Sequence, residues 1–321
     1  MIVVTGAAGF IGSNIIRGLN QIGITDILAV DDLTDGKKYR NLAVVHYQDY
    51  MDFRLFLSKI ENNESFNSKI TAIFHEGACS DTMEWNGEHM MKNNYDYTKT
   101  VFHYCLENSI QFLYASSAAV YGSKNNFDDQ DWDQLPLNVY GYSKWKFDEY
   151  VRPYLKTAKS QIVGFRYFNV YGPHENHKGK MASVAFHLMN QLEKDGTVKL
   201  FSSYGGYGDG AHERDFIFID DVVKMNLWFL KHSDKSGIFN CGTGLARCFN
   251  AIAKTLIELK GSGELAYIPF PESLKGAYQC FTQANLTALR DCGFTEPFTS
   301  LEEGLQKYFH WYHDAGKFHR G

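Results

Sequence analysis

The stretch Ile2-Val3-Val4-Thr5-Gly6-Ala7-Ala8-Gly9-Phe10-Ile11-Gly12 decides the fold of this chain. Four β-branched residues predict a short buried strand, and three glycines at intervals of three follow it without a gap. A strand that turns through glycines into a helix leaves backbone N–H groups free at the helix N-terminus, where a dinucleotide pyrophosphate can bind. The spacing is GxxGxxG rather than GxGxxG, and glycine-rich turns are common. On its own, this stretch leaves an ordinary turn open as the alternative.

The residues after the glycines extend the pattern into a parallel α/β unit. Residues 14–19 predict the crossover helix, and residues 27–30 predict a second buried strand that ends at Asp31 and Asp32. An acidic residue about 20 residues after the glycines contacts the adenine ribose in such folds, whereas the alternative is a turn-forming aspartate. Asp31 favours NAD, because a carboxylate repels a 2′-phosphate, but the lysines at 37–38 could pair with one. The residues alone leave the choice of cofactor open.

Composition and charge exclude several classes of function. The 321 residues, 44% hydrophobic and 21% charged, are enough for one large α/β unit or two joined lobes. A net charge of -5 without a basic block gives no reason to expect nucleic-acid binding. No apolar run reaches about 18 residues, so we expect no membrane span; the chain opens directly into a strand, so we expect no signal peptide and a cytoplasmic location. The six cysteines form no CxxC pair and are expected to be free thiols.

Strand-like runs alternate with helical periodicity through the first two-thirds of the chain. This alternation predicts an α/β fold, a Rossmann-type doubly wound parallel sheet with a smaller α/β substrate lobe. Further strands are predicted at residues 70–74, 112–115, 162–165 and 216–219, and amphipathic helices at residues 181–192 and 301–312. The glycine-rich residues 205–210 are not followed by a helix and predict a flexible surface loop.

The pattern of strand-like and helix-like segments changes after residue 170, and this change predicts two structural parts. We expect residues 1–170 and 214–241 to form a dinucleotide-binding domain, and residues 171–213 and 242–321 to form a substrate-binding lobe. A lobe packed against the carboxyl edge of the sheet would hold the substrate across the cofactor.

Tyr140 and Lys144 lie four residues apart in a predicted helix, which places their side chains on one face. A free tyrosine titrates near ~10 and is a poor base at neutral pH. A nearby ammonium group and a positive nicotinamide ring would stabilise the phenolate, and a shift of ~3 pKa units requires ~4 kcal/mol. The alternative is an ordinary exposed tyrosine and lysine, because this spacing often occurs by chance.

The ordered set of motifs is similar to one enzyme family. A glycine turn, then Ser117 at the end of a predicted strand, then Tyr140 and Lys144 resembles the extended short-chain dehydrogenases/reductases of the NAD-dependent epimerase/dehydratase family. The resemblance implies that Ser117 hydrogen-bonds the substrate oxygen, Tyr140 transfers a proton and Lys144 holds the nicotinamide ribose. Dehydratases of this family carry Asp-Glu directly after the serine, whereas this chain has alanines at 118–119. Alanine cannot protonate a leaving hydroxyl, which counts against dehydration.

Longer stretches resemble the ADP-glycero-manno-heptose 6-epimerases within that family. They are residues 75–80, 136–144, 165–173, 177–179, 181–187, 275–276 and 278–279. This resemblance implies an isomerase that converts ADP-D-glycero-D-manno-heptose to the L-glycero form by transient oxidation at C6 with tightly bound NADP, for lipopolysaccharide core precursors. It also implies a homo-oligomer, with a homopentamer as one candidate, and neither nucleic-acid nor membrane partners. Another nucleotide-sugar epimerase, such as a UDP-hexose 4-epimerase, and a non-catalytic dinucleotide-binding protein are the alternatives.

The residue patterns and the resemblance together assign site residues. The residues assigned to the cofactor are Gly6, Gly9, Phe10, Ile11, Gly12, Asp31, Asp32, Lys38, Glu76, Gly77, Ala78, Cys79, Ser80, Asn93, Lys144, Val170 and Lys178. The residues assigned to the ADP-sugar are Ser117, Asn169, Lys180, His187, Phe201, Arg214 and Tyr278. The Arg214 guanidinium could clamp a diphosphate with two hydrogen bonds, and the alternative is a structural pair with Asp215.

The resemblance implies that Lys178 is a second catalytic acid/base, beside Tyr140. An unperturbed lysine, with a pKa of ~10.4, is almost fully protonated at neutral pH, so Lys178 would have to be desolvated or repelled by another cation. The alternative is a simple anion-binding lysine. Histidines at 174, 177 and 187 could suggest a metal site, but the redox cycle needs no metal and we expect none.

Three positions depart from the family pattern. Phe53 stands where the family often has a cofactor-contacting lysine, which weakens the case for a 2′-phosphate. We therefore expect NADP, with NAD as the alternative. Lys180 replaces a small serine and is expected to lower the pKa of Lys178, and Ala277 replaces a basic residue before Tyr278.

Overall fold

A seven-stranded, wholly parallel sheet forms the centre of the fold, as the alternation of strand and helix patterns predicts. The structure is a computed structural model that describes residues 1–276, 278–314 and 318. Its strands are β1 (Ile2–Thr5), β2 (Ile27–Asp31), β3 (Asp49–Asp52), β4 (Ala72–His75), β5 (Gln111–Ser117), β6 (Ile162–Tyr167), β7 (Asn169–Tyr171), β8 (Thr197–Phe201), β9 (Glu213–Phe218), β10 (Gly237–Cys241), β11 (Ala246–Cys248) and β12 (Glu264–Ile268).

Helices cover both faces of this sheet. They are α1 (Phe10–Gln21), α2 (Tyr39–Leu42), α3 (Phe53–Glu61), α4 (Gly87–Met91), α5 (Tyr97–Asn108), α6 (Val139–Val151), α7 (Val184–Asp195), α8 (Ile219–Lys231), α9 (Phe249–Lys260), α10 (Thr287–Asp291) and α11 (Leu301–Asp314). Helices α1 and α8 contribute to the apolar core on one face, and α3, α5 and α6 contribute to the core on the other. Burial on both faces explains why the strands read as near-continuous apolar runs.

The strand order places a crevice beside β1. The order is β10-β6-β5-β4-β1-β2-β3, so the chain runs outward from β1 through β2 to β3 and then returns to β4 on the other side of β1. Thr5 is in register with Val30 on one side and with His75 on the other. In open α/β sheets, ligands bind at the carboxyl ends of the strands where the order reverses in this way.

A smaller lobe contains two further sheets. Strands β11, β9 and β7 form one sheet, β12 pairs with β8 in a second, and α7, α9 and α11 pack together beside them. The predicted strand at 216–219 is observed as β9, three residues earlier at its start. Residues 214–241 are thus divided, because β9 lies in the three-stranded sheet whereas β10 lies in the seven-stranded sheet.

Three further features of the described residues concern helix hydropathy, metal-ligating side chains and cysteines. Among the described residues, no helix is long and apolar enough to cross a membrane, and no group of three or more His, Cys, Asp or Glu side chains is arranged to hold a metal ion. All six cysteines are free: Cys105 and Cys241 are buried, and the other four are half-buried. Burial raises the pKa of the Cys105 thiol well above its ordinary value.

Candidate active site

The glycine turn between β1 and α1 is built so that no side chain could replace two of its glycines. Gly6 has a φ of +64°, and a Cβ there would lie 2.7 Å from the Gly77 nitrogen. A Cβ on Gly12 would overlap the Gly6 carbonyl oxygen. Helix α1 begins after Gly9, which offers no side-chain cap to the first turn. The first N–H groups of α1 have no intrahelical partner and are open to an anion.

Asp31 fixes this turn from the end of β2. One carboxylate oxygen accepts the Ala8 N–H at 2.7 Å, and the other accepts the Asp32 N–H and the Lys38 ammonium, each at 2.6 Å. Lys38 is therefore paired within the protein. Asp32 accepts the Thr34 N–H, and the hydrogen bond with Thr34 lowers the pKa of the Asp32 carboxyl.

A phenol, a hydroxyl and an ammonium come together where β5 meets α6. Ser117 ends β5, and its hydroxyl accepts the Ala119 N–H at 3.1 Å. Tyr140 is the second residue of α6, and Lys144, one turn later, donates to the Ala115 carbonyl at 2.8 Å. The predicted juxtaposition of Ser117, Tyr140 and Lys144 is thus observed.

Burial dominates the electrostatics of these groups. Burial raises the pKa of Tyr140 above 10, although its hydrogen bond with Ser117 opposes the shift. Burial also lowers the pKa of Lys144 to about 8, against the opposing charges of Glu76 and Asp148. Without a bound nicotinamide ring, the pKa of Tyr140 is thus raised, so the predicted depression depends on the ring as well as on Lys144. A positively charged nicotinamide ring would act on the phenolate in the required direction.

Helix α6 is held to the sheet by a buried ion pair. Asp148 accepts hydrogen bonds from the Tyr114 hydroxyl, the Ser116 hydroxyl and the Arg166 Nε, each at 2.9 Å. Both charged side chains are fully buried. Because Asp148 lies one turn beyond Lys144, this pair fixes the helix that presents the phenol and the ammonium.

Lys178 reaches the same cleft from a different element. It lies in a 3₁₀ segment, Asn176–Met181, and its Nζ is 5.5 Å from the centre of the Phe10 ring at the start of α1. Burial lowers the pKa of Lys178, and the Glu175 carboxylate opposes this shift. Lys180 is exposed, so burial rather than the neighbouring cation is the cause of the lowered pKa.

Glu76 presents an unpaired oxygen in this region. Its Oε1 accepts the Tyr167 hydroxyl at 3.0 Å, whereas its buried Oε2 has no hydrogen-bond partner within the described residues. Burial raises the pKa of Glu76 to about 7. A buried polar atom without a partner is costly, so this oxygen is suited to a ligand donor such as a ribose hydroxyl. The glycine cradle and this oxygen together fit a dinucleotide.

One cleft of about 670 Å³ joins these groups. Every residue that the sequence assigns to catalysis or to the cofactor lines it: Gly6, Gly9, Phe10, Ile11, Gly12, Asp31, Asp32, Lys38, Glu76, Gly77, Ala78, Cys79, Ser80, Asn93, Ser117, Tyr140, Lys144, Val170 and Lys178. Phe53 also lines the cleft, beside the Tyr97 ring at 5.7 Å between centroids. The cleft lies at the carboxyl edge of the sheet, where the strand order reverses.

Three residues assigned to the ADP-sugar cluster in the smaller lobe. The Arg214 guanidinium lies 4.8 Å from the Tyr278 ring centre, and Phe270 lies between the rings of Tyr278 and Phe201 at 5.2 and 5.4 Å. Burial lowers the pKa of Arg214. Phe270 was not predicted, since its sequence neighbours give no pattern.

The structural pair proposed as the alternative for Arg214 is not formed. The Asp215 carboxylate accepts instead from the Thr243 N–H and hydroxyl, the Gly244 N–H and the Ala284 N–H. Arg214 donates to the Glu213 carbonyl at 2.9 Å. Among the described residues no carboxylate forms an ion pair with Arg214, so its guanidinium is suited to an anionic ligand.

The other residues assigned to the substrate lie apart from the lining of the cleft. Asn169 begins β7 and is exposed, as is Lys180, and His187 is half-buried in α7. Val170, next to Asn169, does line the cleft. Ala277 lies outside the described residues.

Comparison with known proteins agrees with this geometry. The sequence profile of the NAD dependent epimerase/dehydratase family matches residues 2–242. The chain belongs to this family. Membership assigns it to the nucleotide-sugar epimerases and their relatives, enzymes that use a nicotinamide dinucleotide, and thereby accounts for the glycine cradle.

Solved structures of the family superpose over almost the whole chain. ADP-L-glycero-D-manno-heptose-6-epimerase from Helicobacter pylori is 31% identical, with a TM-score of 0.84 over 98% of this chain and 96% of that chain. UDP-glucose 4-epimerase from Thermotoga maritima, solved with UDP-glucose, is 25% identical, with a TM-score of 0.80 over 98% and 99% of the two chains. The Thermus thermophilus UDP-glucose 4-epimerase complex with NAD, 23% identical with a TM-score of 0.80 over 98% and 99%, shows the shared fold.

Besides Phe270, two residues that support this site from outside the cleft were missed from the sequence. Asp148 follows Tyr140 and Lys144 at the same four-residue interval, and that periodicity was a usable signal. Glu175 lies in a loop of mixed composition, and nothing in its sequence neighbourhood predicts that its carboxylate is fully buried.

Proposed function

We propose that the chain is an ADP-glycero-manno-heptose 6-epimerase that interconverts the D-glycero and L-glycero forms of ADP-manno-heptose. The observation that carries the proposal is that Tyr140 and Lys178 line one cleft from different elements, beside the glycine turn. Inversion at one carbon by oxidation and reduction calls for proton transfer at two positions. The 31% identity with the Helicobacter pylori heptose epimerase supports this substrate.

Tyr140 and Lys178 have separate tasks in this proposal. When bound, an oxidised nicotinamide ring supplies the reversible hydride acceptor. Tyr140 takes the proton from the C6 hydroxyl, assisted by Ser117 at the same oxygen. After the sugar presents its other face, the hydride would return to C6 and Lys178 donates a proton to the carbonyl oxygen. Tyr140 then loses the proton it gained, and Lys178 regains one from solvent, before the next turnover. Burial of Lys178 lowers its pKa and thus favours exchange of its proton.

The proposed resident cofactor is NADP, with NAD as the alternative. Gly6, Gly9 and the start of α1 would hold the pyrophosphate, and Lys144 the nicotinamide ribose. Lys38 and Arg54 are the cations at the adenine end, and they already pair with Asp31 and with Asp32 and Asp52. A 2′-phosphate would therefore compete with these carboxylates for the two cations.

The remaining features of the proposal concern the lobe and the assembly. Residues 1–170 and most of residues 214–241 would serve the dinucleotide, and residues 171–213 and 242–321 the sugar nucleotide. Arg214, which lies on β9 in the smaller lobe, would clamp the diphosphate with Tyr278 beside it. Asn169, Lys180, His187 and Phe201 are further proposed contacts. A homo-oligomer, as large as a pentamer, a cytoplasmic location and a role in lipopolysaccharide precursor synthesis complete the proposal.

Turnover of purified protein with ADP-D-glycero-D-manno-heptose tests the proposal. We expect NMR to detect the L-glycero epimer, and no change in UDP-glucose. Tyr140→Phe should abolish turnover while dinucleotide stays bound, whereas Tyr142→Phe, an exposed tyrosine on the same helix, should retain it. Epimerisation of UDP-glucose alone would establish the rival 4-epimerase, and no turnover of either sugar would favour a binding protein.

Mass spectrometry of the nucleotide that co-purifies with the protein tests the cofactor separately. NADP, with its additional phosphate, is expected. NAD alone would overturn that part of the proposal and leave the epimerase reaction intact.

A further inference from the structure

A buried carboxylate joins the two ends of the loop that carries Lys178. The Glu175 side chain is fully buried. Its Oε1 accepts the Gly172 N–H at 3.2 Å and the Ser183 hydroxyl at 2.7 Å, and its Oε2 accepts the Ser183 N–H. Gly172 precedes the loop and Ser183 caps helix α7 after it. One side chain therefore closes the segment between residues 172 and 183.

The backbone of the same residue holds Lys178 directly. The Lys178 N–H donates to the Glu175 carbonyl at 2.9 Å. One residue later the 3₁₀ segment is interrupted at Gly179, where φ is +54° and a Cβ would have no atom of the described residues within 4 Å. The loop is therefore unpacked on the side of Gly179 and depends on anchors elsewhere. Glu175 is the anchor that joins its two ends, and Asn41 is a second anchor, which donates to the His174 carbonyl at 3.0 Å.

Electrostatic effects also connect Glu175 with Lys178. The Glu175 carboxylate opposes the effect of burial on the pKa of Lys178, and burial raises the pKa of Glu175 while Lys178 opposes that shift. The other titratable groups facing this pair are Tyr308 from α11, whose pKa is raised by burial and by Glu175, and His177, whose pKa is lowered to about 4 by burial and by Lys178. Both are neutral near pH 7, so neither supplies a negative charge to Lys178 in place of Glu175.

We propose that Glu175 is a positioning residue for Lys178: its buried carboxylate closes the loop that carries the lysine and sets the position and the electrostatic surroundings of its ammonium group. This inference rests on the proposed function, because it matters for turnover only if Lys178 moves a proton. Glu175 itself does not line the cleft and touches no reacting atom. A purely structural role would stabilise the loop without changing the titration of Lys178.

The test is the titration of Lys178 in the full-length protein. Trace acetic anhydride acetylates only the neutral amine, so mass spectrometry of the peptide that contains Lys178 gives its titration midpoint. In Glu175→Gln, which keeps the shape and removes the charge, we expect that midpoint to fall by about one pH unit. In the matched control Asp221→Asn, another buried carboxylate that accepts a backbone N–H and contacts a lysine, it should not move.

Kinetics provide the second readout. In Glu175→Gln the amide NH2 cannot accept the Ser183 N–H, so the loop should shift although the side chain keeps its size. Displacing a catalytic group by about 1 Å can cost on the order of 100-fold in rate, so kcat should fall by roughly that factor with KM and dinucleotide affinity within about threefold. Glu175→Asp keeps the charge but is one methylene shorter, so its Lys178 midpoint should stay near wild type while kcat falls. If Glu175→Gln does not fold, the kcat and the Lys178 midpoint of Glu175→Asp decide the test.

An unshifted midpoint in Glu175→Gln, or wild-type kcat in Glu175→Asp, overturns the inference. Failure of the proposed function gives a different result. In that case the wild-type protein does not epimerise ADP-heptose, yet the Lys178 midpoint still shifts in Glu175→Gln, and the positioning role stands without the assigned reaction.

Discussion

Replacing Asp148 by asparagine removes the negative charge from the centre of the buried network beneath α6. The substitution keeps the shape of the side chain but leaves the Arg166 guanidinium, which is fully buried, without its counter-charge. Burial lowers the pKa of Arg166, but Asp148 and Tyr121 outweigh that effect, so the arginine stays charged. Arg166 therefore cannot become neutral by losing a proton when its partner is removed.

The cost follows from this burial. Breaking a buried ion pair by removing one partner costs about 3–5 kcal/mol, because an uncompensated charge remains inside the protein. Asp148 also accepts hydrogen bonds from two hydroxyls, Tyr114 and Ser116, which an asparagine amide satisfies only in part. An exposed ion pair is worth only about 0–1 kcal/mol. The pair between Arg17 and Asp220, 2.5 Å apart with both side chains about a third exposed or more, is the matched control.

Urea unfolding followed by circular dichroism measures both effects. Asp148→Asn should lower the free energy of unfolding by about 3–5 kcal/mol at an unchanged m-value, and Asp220→Asn by less than about 1 kcal/mol. Adding Arg166→Met to Asp148→Asn should recover part of the loss, because the second change removes the orphaned charge. If Asp148→Asn costs no more than Asp220→Asn, the network does not hold α6 and this reasoning fails.

Three substitutions test the dinucleotide site. Gly12→Ala should abolish tight dinucleotide binding, because a methyl group there overlaps the Gly6 carbonyl oxygen. The control Gly36→Ala has open space around the new methyl group and should bind the dinucleotide normally. Calorimetry on nucleotide-free protein compares the two affinities. Burial lowers the pKa of Lys144 to about 8, so dinucleotide affinity should fall as the pH rises above 8 and the ammonium loses its proton. Lys144→Met should bind weakly at every pH, and an equal pH dependence would exclude this lysine as the cause. Asp32→Asn should shift the ratio of NADP to NAD dissociation constants roughly fivefold toward NADP, because it removes one like charge; an unchanged ratio would place Asp32 beyond reach of the 2′-phosphate.

Signals that lie next to one another in the sequence made much of the fold predictable. The β-branched run, the glycines and the helix pattern adjoin within the first 21 residues, and β1 and α1 lie where expected. Asp31, Ser117 and the other strand-end residues were brought into one cleft because the carboxyl ends of parallel strands meet at one edge of a sheet. Local pattern and one topological rule are sufficient for that result.

The edge strand β3 and the sheet to which β9 belongs were not predictable in the same way. Strand β3, Asp49–Asp52, has the sequence DYMD and no buried residue, because it lies at the edge of the sheet and needs no apolar run. Strand β9 was predicted as a strand, but its sheet was not. Its partners β7 and β11 are short segments with weak patterns, so its membership depends on long-range pairing rather than on its own residues.

Buried charges separate what was predicted from what was missed in the site. Helix α6 carries Tyr140, Lys144 and Asp148 at four-residue intervals, yet only the first two were recognised. The third meets Arg166 on β6, a partner set by the fold and not by spacing. Glu175 repeats this arrangement beside Lys178, where a buried carboxylate faces a catalytic candidate. In both cases the sequence reveals the group that faces the ligand, whereas the buried carboxylate that supports its helix or loop is identifiable only once the strands and loops are in place. We therefore expect both candidate proton carriers to depend on carboxylates that do not line the cleft.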